Sequence, residues 1–415
     1  MTTARTKHSA GRDGHRPLVR VLRDRDAALC LGGVVVSGFG TSALWLAAGV
    51  WVKDLTGSDG LAALCMLAMW APTLVGPALG TLTDRVRRRP LLIATGLLMS
   101  GLLLTLFAVD SREELWLVYA VLLVYGASGV VHDAAESALM AAAVDPGLLG
   151  DFNGLRLTAN EGMKLVAPLA GAGLYAAYGG PAVALLDAAT FVLATGVYAA
   201  LRVREAPPVR PAGNWRRHTA EGARYLWGHP TLRPLVLAGG VTMLCAGVNG
   251  ATAYAVVGAL GHSPAYAGAL YAVQGAGSVV AGLLAGPAVR RLGGRRFAAV
   301  GIALFAVAVA VRAAPYDAVA LATSAAVGAG LPAVLIAALT AVQHETPGPL
   351  LGRVAATANS LVFAPNVLGL AAGAALVEPA GLWPLLPVVG AVLLGTAAVL
   401  AATRRPDGRE TPSAA

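Results

Sequence analysis

Long apolar runs alternate with short polar or basic connections along the chain, and twelve runs approach the ~20 residues that a helix needs to cross a bilayer. Their limits are 28–50, 60–79, 91–109, 115–143, 153–178, 181–201, 234–258, 264–289, 297–313, 317–342, 354–377 and 383–402. Backbone in lipid must pair its own N–H and C=O groups, so runs of this length, rich in Ala and Leu, are predicted helices. The longest polar connection, 202-RVREAPPVRPAGNWRRHTAEGARYLWGHPTLRP-234, divides the spans six and six. The expected organisation is a tail at 1–26, a six-helix bundle at 27–201, a linker at 202–233, a second bundle at 234–402 and a tail at 403–415. Inside the linker a Pro-rich stretch precedes a short predicted helix over 213–228, with Trp215, Tyr225 and Trp227 at headgroup level.

Composition agrees with this pattern. Of 415 residues, 57% are hydrophobic and 13% charged, against about a quarter charged in soluble domains, and the mean hydropathy is +0.68. The chain reads as an all-α integral membrane protein. Of its 31 Lys and Arg residues, 27 fall in segments on the side of residue 1, which the positive-inside rule makes cytoplasmic for both termini. High Ala, Gly and Arg usage points to a GC-rich bacterial genome, and so to a bacterial cytoplasmic membrane. The net charge of +9 is then a topology signal. Its bases are dispersed among loops, so no nucleic-acid partner is expected. The basic start, 1-MTTARTKHSAGRDGHRPLVRVLRDRD-26, lacks a small-residue cleavage site and reads as a cytoplasmic tail. Cys30, Cys65 and Cys245 are scattered through apolar spans and make neither a disulfide framework nor a metal site. There is no Walker loop for ATP. The expectation is a lipid-embedded monomer that is not an enzyme, with no cofactor.

The connection 80-GTLTDRVRRRPLL-92 sets one acid and four arginines between two spans. Topology needs the arginines but not Asp84. An acid at that helix end is best placed against an arginine or the positive N-terminus of another helix. Gly76 and Gly80 lie on one helix face, where small residues admit a close neighbour. The same spacing recurs 206 residues on, where Gly282, Gly286 and Arg291 match Gly76, Gly80 and Arg85. Parallel six-helix repeats around a central cavity are a known transporter plan.

The pattern Gly80-x-x-x-Asp84-Arg85-x-x-Arg88-Arg89 resembles the signature loop between the second and third helices of the major facilitator superfamily. That resemblance implies two six-helix bundles related by a pseudo-twofold axis, and a gate built from Gly76, Gly80, Asp84, Arg85, Arg88 and Arg89. It also implies that Asp84 latches across to the start of the eleventh helix, 352-GRVAAT-357, which holds Arg353. The second copy carries Arg290 in place of the acid, so it has no equivalent latch. The segments 180-GPAVALLDAATFVL-193, 221-EGARYLWGHPTLRPLVL-237 and 351-LGRVAATANSL-361 resemble a branch of macrolide-efflux-like and siderophore-exporter-like permeases. The likeness runs from about residue 20 to 402. It implies proton-driven export of a small amphipathic or hydrophobic compound. Uptake by symport and a non-transporting receptor share the same fold.

Ionisable side chains at bilayer depth are costly unless paired or wet, so they are candidates for proton coupling or substrate contact. They cluster in 132-HDAAE-136 and 160-NEGMK-164, giving Asp133, Glu136, Glu161 and Lys164. Lys164 could pair with Asp133, or with Glu161 on its own helix; either way at least one acid lacks a lysine. Asp187 reads as structural, and Lys53, Asp54 and Arg312 as outer boundary residues. Ser37, Thr41, Trp45 and Asn249 are candidates for the cavity wall. Pro168 in 167-APLAG-171 should kink the fifth span. The fourth span lacks the arginine frequent in proton-driven drug antiporters of the superfamily, so coupling falls to the acids.

Overall fold

Each apolar run forms a helix, and the ends are set by local chemistry. The structure, a computed structural model, describes residues 21–76, 79, 86–145, 148–203 and 215–402. The first bundle contains α1 (Arg25–Thr56), α2 (Asp59–Trp70, extended by a 3-10 turn Ala71–Val75), α3 (Arg88–Thr105), α4 (Leu115–Ala143), α5 (Leu149–Tyr178) and α6 (Gly180–Ala200). The linker helix is α7 (Trp215–Gly228). The second bundle contains α8 (Leu232–Ala251) with its continuation α9 (Ala253–Ala259), α10 (Ala267–Leu292), α11 (Gly294–Val311), α12 (Asp317–Glu345), α13 (Gly348–Ala380) and α14 (Leu382–Ala402). Asp24 caps α1 by accepting the Ala27 N–H at 2.8 Å. Gly57 ends α1 in the left-handed region (φ 72°), and Ser58 caps the start of α2.

Ten of these helices are long and apolar enough to span a membrane, with two shorter apolar pieces at Asp59–Val75 and Leu165–Tyr178, among the described residues. Those two pieces are the second and fifth spans. The fifth is shortened because residues 149–164 carry Asp151, Arg156, Glu161 and Lys164. The first helix starts slightly earlier than the limit at residue 26, and the seventh span at Leu232 rather than 234. Large apolar side chains such as Leu193, Leu283 and Val399 are exposed on the outside, as lipid-facing residues must be.

Within the first bundle α1 packs on α5 and α6, and α3 on α4 and α6; within the second, α8 packs on α13, and α12 on α10 and α11. Between bundles α2 meets α13, while α5 meets α10. Second-with-fifth and fifth-with-second is the pairing that a pseudo-twofold axis produces, and Arg88 and Gly294, which open corresponding helices, are 206 residues apart.

Both α1 and α8 begin on the face that carries the linker, which we call the linker face. Contacts between bundles fall near the opposite, far face. Tyr254 on α9 donates to the Leu46 carbonyl of α1 at 3.0 Å. The Glu378 carboxylate of α13 accepts from the Ser58 hydroxyl and, at 3.2 Å, from the Gly60 N–H, so it caps α2 from the other bundle. A Cβ on Gly60 would sit 2.8 Å from the Ala374 carbonyl oxygen, and one on Gly268 would meet Ala172 and Pro168 of α5. The bundles are therefore tightly joined at the far end.

Among the described residues, a Cβ on Gly76 would meet Val130 at an ordinary 3.7 Å. Arg312 stands at a span boundary as expected, directly after Val311, but it is buried at 4% exposure, with Nε and Nη1 lacking a hydrogen-bond partner. It caps the C-terminus of α11, where a helix end favours a cation, and its charge acts on the Tyr271 hydroxyl within the second bundle.

Candidate functional site

Three cavities adjoin through shared wall residues; the first is lined by both bundles, and the second and third by the first bundle alone. The first, about 250 Å³, is walled by Trp45, Trp70, Asn249, Tyr271, Gln274 and Asn366. It shares Trp45 and Trp70 with the second, about 350 Å³, whose wall adds Thr41, Met69, Val130, Asp133 and Pro168. The third, about 310 Å³, shares Thr41, Tyr125 and Asp133 and continues to Ser37, His132, Glu136, Arg156 and Asn160. All four cavity-wall candidates, Ser37, Thr41, Trp45 and Asn249, thus line one continuous trough, together with Asp133 and Glu136.

The trough is chemically graded. At its second-bundle end the wall has carboxamides and aromatic rings but no charge. Trp45 Nε1, Asn249 Oδ1 and Tyr271 Oη are buried there without a protein partner, and the Trp45 and Tyr271 rings meet edge-on at 4.7 Å. A buried polar atom left unpaired costs about 1–3 kcal/mol, so these are the atoms a bound molecule would satisfy. In the middle, Trp70, Met69, Val130 and Pro168 make the wall apolar. At the first-bundle end, Asp133 is exposed to the cavity, while Glu136 is buried at 9% exposure.

Among the described residues, Arg156 is the cation that acts on both acids. It reaches from α5 toward α4, 3.3 Å from the Ser137 hydroxyl. Sequence reasoning had counted it only as a loop charge and had looked to Lys164. The side chains of Glu161 and Lys164 lie outside the described residues, as do Gly80, Asp84 and Arg85. Arg89 donates to the Ala199 carbonyl of α6. Arg353 pairs with Glu221 of the linker helix, so in this structure it ties α13 to α7, and Gly222 lets the two helices close on each other.

Two hydrogen-bonded side-chain pairs that link α4 to α6 were not apparent from sequence. Tyr125 donates to Asp187 at 2.8 Å, and Tyr198 donates to Glu136. Residues 125 and 136, and 187 and 198, are 11 apart, roughly three helical turns. Asp187 is fully buried, accepts also from Thr190 at 3.1 Å, and fixes Tyr125 against Thr41 at 2.8 Å. Its role is to hold the cavity wall. Tyr125→Phe would leave one Asp187 oxygen and the Thr41 hydroxyl short of a partner. The expected loss is about 1–3 kcal/mol, seen as a lowered midpoint of thermal unfolding in detergent.

A further cavity, about 800 Å³, lies away from the seam between α7, α8, α11 and α14. It shares no wall residue with those three cavities, so it is not part of the trough.

The family model of the Major Facilitator Superfamily matches residues 30–257 and 235–415. Among solved structures, a bacterial homologue of the iron transporter ferroportin in an inward-facing state is similar at 16% identity and a TM-score of 0.71, over 93% of this chain and 99% of that one. The nucleoside transporter NupG is similar at 11% identity and a TM-score of 0.73, over 91% and 98%. A peptide transporter, POT, in complex with alafosfalin gives 16% and 0.70, over 90% and 93%. No curated protein matches the chain. Identities this low establish a common fold.

Proposed function

The chain belongs to the major facilitator superfamily, and from that premise we propose that it is a proton-coupled exporter of small amphipathic or hydrophobic compounds, antibiotic-like or siderophore-like. Membership makes it a multi-pass membrane transporter rather than an enzyme. The observation that carries the finer reading is Asp133, a carboxylate open to a mainly apolar cavity whose wall includes Trp45, Met69, Trp70 and Pro168, with hydroxyls from Thr41, Ser42 and Thr73. An apolar wall with one acid suits an apolar body bearing an amine, and the same acid can take a proton when that amine leaves. The neutral hydrogen-bonding groups at Asn249 and Tyr271 suit a polar substituent on that body. The structural neighbours named for iron, nucleosides and peptides leave the cargo to be read from this wall.

Alternating access follows from the seam. Closure at the far end by Glu378, Gly60 and Tyr254 leaves the trough to communicate with the linker face. With the basic linker face cytoplasmic, this is the state that loads cargo for export from a bacterial cytoplasmic membrane. Asp84 and Arg85 are proposed to latch the linker face in the opposite state, with Gly80, Arg88 and Arg89 shaping that turn.

Direction is tested by accumulation of a panel of fluorescent amphipathic amines in expressing cells, with and without an uncoupler. The expected result is lowered accumulation that the uncoupler restores. Raised accumulation would identify an uptake symporter. No flux for any compound, with function surviving neutralisation of Asp84, Asp133 and Glu136, would identify a non-transporting receptor.

A further inference from the structure

Beyond the Tyr198–Glu136 pair, the hydrogen bonds continue. His132 Nε2 lies 3.2 Å from the Tyr198 hydroxyl, and His132 Nδ1 lies 3.2 Å from the Thr95 hydroxyl of α3. Thr95 also lies 2.9 Å from the Leu91 carbonyl of its own helix. His132 is 6% exposed and Glu136 9%, and both border the cavity that Asp133 opens onto. Four side chains on α3, α4 and α6 therefore form one chain of donors and acceptors. A neutral imidazole carries one donor and one acceptor, and each hydroxyl has a single proton to give.

Counting protons leaves two complete arrangements with a neutral ring. With Glu136 ionised, Tyr198 donates to the carboxylate and His132 Nε2–H donates to Tyr198. Nδ1 then accepts from Thr95. With Glu136 protonated, its O–H donates to Tyr198 and Tyr198 donates to Nε2. Nδ1–H then donates to Thr95, whose own proton turns to the Leu91 carbonyl. The two states differ by one proton overall, and every bond in the chain reverses direction. We infer that Glu136, Tyr198, His132 and Thr95 form a proton-responsive relay, in which the charge state of Glu136 sets the tautomer of His132 and the hydrogen bonding of α3.

This deepens the proton-coupling reading of the same cavity: Asp133 meets the cargo, and Glu136 reports the proton to the bundle behind it. Tyr198 and His132 act as positioning residues. Among the described residues, the other groups that act on Glu136 are Asp133 on its own helix and Arg156 on α5, while Cys30 on α1 senses its charge. A fully satisfied buried network could be purely structural, so the test reads the ring itself rather than transport.

The chain, with histidine ring nitrogens labelled by ¹⁵N and reconstituted in lipid bilayers, is titrated by solid-state NMR between about pH 5 and 9, the range in which imidazole protonation is normally seen. The His132 signals are assigned by their loss in His132→Gln. The expected result is a neutral ring throughout that switches from Nε2–H at high pH to Nδ1–H at low pH. Glu136→Gln should show one tautomer at every pH, and Tyr198→Phe should lose the switch. A wild-type ring with one unchanging tautomer, a doubly protonated ring at low pH, or a switch that persists in Glu136→Gln would each overturn the relay. None of these outcomes bears on whether the chain transports protons through Asp133, so the two readings fail separately.

Discussion

Asp133→Asn is expected to abolish the response of transport to a pH gradient while leaving exchange of bound cargo intact. The carboxylate is exposed to the trough and borders two of its three cavities, so it can meet both cargo and water-borne protons. A pH difference of one unit is worth about 1.4 kcal/mol per proton, which shifts an accumulation ratio about tenfold. Wild-type protein that exchanges one proton per cargo should therefore show a tenfold change in steady-state ratio per unit of gradient. The asparagine variant should show none, because it cannot take the proton. Counterflow of labelled against unlabelled cargo requires no proton release and should continue. Proteoliposomes with an imposed gradient measure both. A variant that retained the full gradient response would place coupling elsewhere, with Glu136 as the next candidate.

The second large effect lies at the far seam. Gly60→Val adds a side chain where even a Cβ would be 2.8 Å from the backbone oxygen of Ala374, and backbone cannot rotate away as a side chain can. Overpacking of this kind costs roughly 1–3 kcal/mol, and here it falls only on the state in which the far end is closed. A bias of that size moves a two-state equilibrium by about 5- to 150-fold. The protein should rest open to the far face and turn over slowly. A single cysteine at Met66, buried in the seam cluster with Leu370 and Ala374, reports the state through a membrane-impermeant maleimide. The native cysteines are buried and can be replaced by alanine. Labelling from the far side should be slow with Gly60 and at least several-fold faster with valine. Equal protection in both would mean that the seam is not the far gate.

The glycines and acids that matter most here were unevenly visible beforehand. The spacing of Gly76 and Gly80 stood out because it preceded a basic turn, yet among the described residues a Cβ on Gly76 would meet Val130 at an ordinary distance. Gly60 has no pattern around it; its importance comes from α13, some 314 residues away in the chain. Arg353 was legible as the start of the eleventh helix, but its bond to Glu221 depends on how α7 lies on α13. The 11-residue intervals that pair Tyr125 with Asp187 and Glu136 with Tyr198 are present in the sequence. They become meaningful only when the fold links α4 to α6, running in the same direction, through these side chains.

The sequence by itself determined that the apolar runs are helices in a membrane-spanning chain, because lipid leaves a backbone no other way to satisfy its polar groups. Their lengths were settled by the structure, as where the expected 354–377 became Gly348–Ala380. The sequence also identified Ser37, Thr41, Trp45, Asp133, Glu136 and Asn249 in the trough wall, since an acid, an indole or a carboxamide in an apolar span is conspicuous. Only the tertiary structure decided which of those groups are partnered. Helix faces turn by about 100° per residue, so neighbours in space come from different helices and distant positions. That geometry left Asn249 and Tyr271 with atoms to offer a cargo, placed Arg156 beside the two acids, and bound His132 into a chain from Glu136 to Thr95.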